Sequence, residues 1–169
     1  MQKLNGRRFL EAILTLVLIP LMAAMVFSGS RPVVAGLSAI PQEAQKEEIK
    51  TIQPEDLAKQ LASSKKPVVL QTGIVHLYRL SHIPGSKFAG PANTPEGLAK
   101  LKKEVEPISK SSEIVLYCGC CPWEHCPNIK PAYAMLRQMG YTNVKALNLP
   151  HTFTEDWVSK GLPAEKGGE

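Results

Sequence analysis

The sequence has no cysteine outside one nine-residue window, no internal repeat and no long low-complexity tract. Thiols confined to Cys118–Cys126 cannot form a disulfide framework that braces distant parts of the fold. Without repeats, solenoid and propeller architectures are excluded. Charge of one sign is also scarce where it matters. The net +5 owes much to Lys3, Arg7, Arg8 and Arg31 against a single Glu11, and from Gly36 onward 16 basic residues face 14 acidic ones. A nearly neutral domain lacks the basic footprint of a nucleic-acid binder, so that class is set aside. No apolar run approaches the roughly 20 residues that comfortably span a bilayer.

What is present is a chain of 169 residues, 44% apolar and 21% charged, enough for one domain with its own core and a terminal extension. The extension is N-terminal. A basic start is followed by ILTLVLIPLMAAMVF, Ile13–Phe27, which carries no charge and is interrupted by Pro20. That length suits a signal-peptide core, with a candidate cleavage site at Val33-Val34-Ala35, and an uncleaved membrane anchor is the alternative. Residues 1–35 are therefore expected to export the domain, to a periplasmic or membrane-tethered location, with any membrane contact made only through this segment. Residues 36–47 read as a linker.

From residue 48 the hydrophobic patterns alternate in kind. Pro54, Glu55 and Asp56 open a short helix with Leu57 and Leu61 one turn apart. Pro67–Leu70, Glu113–Tyr117 and Val144–Leu147 are continuous apolar runs, as buried strands are. Thr94-Pro95 starts a second helix, Asn128 can cap a third that Gly140 ends, and Thr154–Trp157 begins a last one. Strands alternating with helices predict an α/β sandwich on a mainly parallel sheet, whose ligands bind at the carboxyl ends of the strands.

Cys118 follows such a strand directly, in Leu116-Tyr-Cys-Gly-Cys-Cys-Pro-Trp-Glu-His-Cys126. A sulfur between a strand end and a helix N-terminus gains stabilisation of its anion, which favours nucleophilic sulfur chemistry. The spacing of Cys120, Cys121 and Cys126 from Cys118 argues against core filler. It leaves three readings: relay thiols, disulfide partners, or soft-metal ligands together with Cys118. A Cys120–Cys121 bond is the least favoured pairing, because adjacent residues strain disulfide geometry. Trp123 reads as an anchor for the loop, or as a pocket wall. His125 reads as an exposed side chain, or as a proton carrier near neutral pH. His76 and His151 carry no assignment.

Four local patterns together resemble the rhodanese-like sulfurtransferases over residues 48–163, leaving 164–169 as a C-terminal tail. They are Leu80-Ser-His-Ile-Pro-Gly-Ser86, similar to that family's His-Ile-Pro-Gly-Ala turn; Ile114-Val-Leu-Tyr-Cys118; Leu136-Arg-Gln-Met-Gly-Tyr-Thr-Asn-Val144; and Trp157 with Gly161-Leu-Pro163. The resemblance implies a three-layer sandwich with a mainly parallel five-stranded sheet. It implies that Cys118 takes a sulfane sulfur as a persulfide and passes it to a thiol or other nucleophilic acceptor, without a cofactor. It makes Gly119, Cys120, Cys121, Trp123, Glu124, His125, Cys126 and Asn128 the substrate-binding loop. A turn-forming hydrogen-bond role falls to His82. Two departures stand out. The loop is longer than the family's, and Gln71-Thr-Gly73 replaces an Asp and an Arg usual after the first core strand. Fewer fixed cations favour a neutral or protein-borne persulfide over thiosulfate. The other readings are a thiol-rich module binding copper or zinc, and a partner-docking domain on a degenerate fold.

Overall fold

The computed structural model describes residues 48–168. The leader, the linker expected over 36–47 and Glu169 lie outside the described residues. Among the described residues no helix is long and apolar enough to cross a membrane.

Five strands, β1 (Thr51–Ile52), β2 (Val68–Gln71), β3 (Lys87–Phe88), β4 (Ile114–Tyr117) and β5 (Val144–Leu147), form one sheet in the order β1-β5-β4-β2-β3. Every pairing is parallel. The expected α/β sandwich on a five-stranded parallel sheet is therefore what the chain builds. The two-residue edge strands β1 and β3 are too short for a hydrophobic period to reveal.

Helices α1 (Pro54–Leu61), α2 (Val75–Leu80), α3 (Pro95–Val105) and α4 (Ile129–Gln138) flank the sheet. Proline at the first turn pre-sets φ in α1 and α3, where its missing N–H costs nothing. Thr94 caps α3 by accepting the Gly97 N–H at 3.0 Å. Gly140 (φ +86°) takes the left-handed turn that ends the α4 region.

Strand β4 is central and completely buried, and its side chains alternate between two cores. Ile114 and Leu116 join Leu70, Leu101, Ile129 and Leu136 under α3 and α4. Val115 and Tyr117 join Leu57, Val69, Leu147, Phe153 and Trp157 on the other face. Each such apolar side chain contributes about 1.5–3 kcal/mol by leaving water. The same alternation sends Tyr117 to one face and the next residue, Cys118, to the other.

The tail does not hang free. His82 and Glu165 exchange backbone hydrogen bonds of 2.9 Å in an antiparallel bridge, Gly167 N–H donates to Arg79 O, and the indole of Trp157 donates to Pro163 O at 2.8 Å. Hydrophobic patterning could not anticipate this, because residues 164–168 are polar or small and are held by the backbone.

Candidate active site: a thiol cluster at the end of the central strand

The cluster is built on the carboxyl end of β4, with its supports on the adjacent end of β2. Gln71 closes β2 and holds the loop entrance: its amide donates to Cys118 O at 3.0 Å, while its Oε1 accepts the Gly73 N–H at 3.1 Å. The Gln71-Thr-Gly73 departure thus supplies its own brace. Gly73 is required by space. A Cβ there would stand 2.7 Å from Cys118 Sγ, below any real contact distance. Gly119, at φ +83°, turns the chain back on itself, and a Cβ on it would strike Phe153. Phe153 N–H donates to Gly119 O at 3.1 Å, fixing that turn.

The four cysteines are free thiols. Cys118 is 3% exposed and Cys126 1%, whereas Cys120 is exposed and Cys121 half-buried. Cys118 Sγ lies 3.1 Å from Cys120 Sγ, which lies 3.2 Å from Cys121 Sγ. These separations exceed an S–S bond of about 2.05 Å. The sulfurs of Cys118, Cys120 and Cys126 lie within 4.8 Å of one another, so three thiols converge while Cys121 stands outside that group. Cys126 corrects the expectation drawn from spacing: it belongs to the core under α3 and α4, because the loop dips back before α4 begins.

Asn128 corrects another. It precedes α4, yet its side chain makes no cap. Its Oδ1 accepts the Asn93 N–H at 3.0 Å and its amide nitrogen donates to Cys118 Sγ at 3.4 Å. A buried amide held at one end by a backbone donor can aim the other at sulfur.

The helix N-terminus also serves a different sulfur from the one that the strand–loop–helix order suggests. Cys126 is pulled down to about 5, chiefly by the Cys118 thiol donating to it, against burial, with help from the Asn128 and Ile129 N–H groups. Cys118 is pushed up by that same contact, by burial and by the charge on Cys126, with the Cys120 N–H opposing. Cys121 is raised to about 12, first by burial and then by the neighbouring thiols. The buried pair holds one proton between two sulfurs, with the charge on Cys126 at rest.

The rest of the loop divides between core and solvent. Trp123, Glu124 and His125 form a single 3₁₀ turn. Trp123 packs partly against the core, donates its N–H to Leu149 O at 3.0 Å, and lines a cavity of about 780 Å³ with Tyr133 and Lys130. Glu124 reaches the same cavity, whereas His125 is exposed, and the cysteines do not line it. His82 is buried in its turn, Nδ1 facing Tyr78 O at 2.9 Å and Nε2 facing Glu165 Oε1 at 3.0 Å.

Sequence reasoning missed Gly73 and Asn93 at this site. A glycine just past the end of one core strand, beside a cysteine just past its neighbour's, is the signal that could have found the first. Asn93 acts through its backbone, which leaves no signal.

The family model for the rhodanese-like domain matches residues 53–149, more than half of the chain. No curated protein matches the sequence. Among solved structures, the BH2092 protein from Bacillus halodurans is 20% identical, with a TM-score of 0.54 over 69% of this chain and 77% of that one. The rhodanese-like domain of the Alr3790 protein from Anabaena sp. is 18% identical, with a TM-score of 0.52 over 70% and 80%. An anaerobic ergothioneine biosynthesis enzyme from Chlorobium limicola is 23% identical, with a TM-score of 0.54, over 70% of this chain but 28% of the enzyme. These likenesses show the fold.

Proposed function

The chain belongs to the rhodanese-like domain family, and on that premise we propose that it moves sulfane sulfur through a persulfide on Cys118. The observation that carries the reading is the placement of Cys118: first residue past the central strand, walled by Gly73, and faced by the Asn128 amide and by Cys126. The Cys118 thiolate attacks the outer sulfur of a donor R–S–SH, forming Cys118–S–SH and expelling R–S⁻. An acceptor thiolate then takes the same sulfur and regenerates Cys118–S⁻. No electron is gained or lost overall. Cys126 holds the proton of the first attack, and the Asn128 amide stabilises the charge on Cys118.

Partners follow from this chemistry: a small or protein-borne persulfide as donor, a thiol as acceptor. Export is part of the proposal, supported by the basic start and the charge-free run Ile13–Phe27. Reduced protein incubated with glutathione persulfide is expected to gain the mass of one sulfur atom. Cys118→Ser should lower the loading rate at least roughly 1000-fold. Loading and transfer undiminished in that variant would remove Cys118 from the role.

A second reading is favoured by the convergence of Cys118, Cys120 and Cys126 within 4.8 Å, which suits a soft d¹⁰ cation such as copper(I). Elemental analysis of protein purified without chelator separates the two. Stoichiometric metal, lost in Cys120→Ser, supports the metal module. Metal-free protein that accepts sulfur refutes it.

A further inference from the structure

We propose that Cys120 is a resolving thiol that converts the Cys118 persulfide into free hydrosulfide and a Cys118–Cys120 disulfide, an activity that rests on the Cys118 reading and adds a second product to it. In plain sulfur transfer the acceptor attacks the outer sulfur of the persulfide. Here a second thiol already stands beside the inner one. Cys120 Sγ is 3.1 Å from Cys118 Sγ, within the roughly 3–3.5 Å of a near-attack arrangement. The left-handed turn at Gly119, pinned by the Phe153 N–H, folds the exposed thiol back over the buried one. Closing the gap to a bond length of about 2.05 Å takes a shift of about 1 Å.

The step balances. The Cys120 thiolate attacks Cys118 Sγ, the new bond is Cys118–S–S–Cys120, and the bond that breaks is the one between Cys118 Sγ and the outer sulfur, which leaves as HS⁻. Two cysteine thiols are oxidised by two electrons in total, and the sulfane sulfur is reduced by two. Resetting the site requires an external dithiol, which takes the disulfide in exchange and leaves oxidised.

Burial decides which neighbour does this. Cys126 also lies within 4.8 Å of Cys118, yet both sulfurs of that pair are buried, and an external dithiol could not reach a bond between them. A Cys120–Cys121 bond would join adjacent residues, where the disulfide is strained, and would leave Cys118 loaded. Cys118 with Cys120 is the pair that joins the buried, loaded sulfur to one in solvent. The outgoing ion is also the smallest sulfur product there is, which suits a nucleophile that is 3% exposed.

The test is a single turnover. Full-length wild-type protein is reduced, loaded with glutathione persulfide, freed of excess reagent and left without an acceptor. The expected result is about one hydrosulfide released per loaded protein, with a mass two hydrogens below that of the reduced protein and fragment ions that join Cys118 to Cys120. Cys120→Ser should release less than about one-tenth as much hydrosulfide per loaded protein. A loaded wild-type protein that keeps its sulfur until thiol is added would overturn this step while leaving the Cys118 reading intact. So would equal release from Cys120→Ser, or a bond mapped to Cys126. A wild-type protein that never loads at Cys118 would overturn both.

Discussion

Tyr117 and Cys118 are consecutive, both buried, and send their polar atoms to opposite faces of one strand end. On Tyr117's face the hydroxyl accepts the Ile83 N–H at 3.2 Å and pairs with Ser86 Oγ at 3.1 Å, while the Tyr78 hydroxyl donates to Ser86 O at 2.6 Å. Burial pushes the Tyr117 hydroxyl far up, so it stays neutral. Glu165 and His82 extend this system to the C-terminal tail. On Cys118's face three sulfurs converge, that of Cys126 is pulled down to about 5 by the Cys118 thiol donating to it, and that of Cys120 reaches solvent. A buried network of fixed, neutral donors and acceptors holds a fold together. A network with a mobile proton and an exposed end can do chemistry. The two faces should therefore answer differently to substitution and to pH.

The largest contrast lies in titration. The ultraviolet absorbance of the wild-type protein should show one thiolate with a midpoint near 5, which Cys126→Ser abolishes. The sign of the linkage follows. A depressed folded value means that the Cys126 anion adds stability in full above the ordinary thiol value of about 8.5. That stability is lost as pH falls through about 5. Thermal melts across this window should drop more steeply for wild type than for Cys126→Ser; parallel curves would place the charge elsewhere.

Next in size is Gly73→Ala, whose added methyl meets both the sulfur and the carbonyl oxygen of Cys118. It should cost about 1–3 kcal/mol and slow sulfur loading about tenfold or more. Tyr117→Phe, one residue from Cys118, should cost about 1–2 kcal/mol, because the Ile83 N–H and Ser86 hydroxyl lose a partner, and should leave the loading rate within about twofold. Equal losses of loading in these two variants would erase the distinction between the faces. The smallest effect belongs to Glu165→Ala, which removes the acceptor for His82 Nε2 and the Gly85 N–H at a half-exposed site. Chemical denaturation should show about 0.5–1 kcal/mol, with activity unchanged.

The two faces also differed in legibility. Val115, Leu116 and Tyr117 read as a buried strand because a parallel strand covered on both sides is apolar throughout. That run alone placed Cys118 at the ligand-binding end of a sheet. The His82 turn was visible as a motif, whereas its tie to Glu165 was not, since a backbone bridge carries no hydrophobic period. The inserted loop was hardest. Spacing showed that four thiols were close but could not separate them, because a left-handed glycine and a loop that dips into the core decide which sulfur is buried. Asn128 was found as a helix cap and turned out to aim its amide at sulfur, since α4 begins without needing it.

The most direct test is to locate the sulfur. All four cysteines lie in one tryptic peptide, Ser111–Arg137, since Lys130 precedes Pro131 and resists cleavage. Protein loaded with glutathione persulfide, alkylated at once and fragmented should carry its first extra sulfur on Cys118. Extra sulfur confined to Cys120 or Cys121 from the earliest time point would contradict the account.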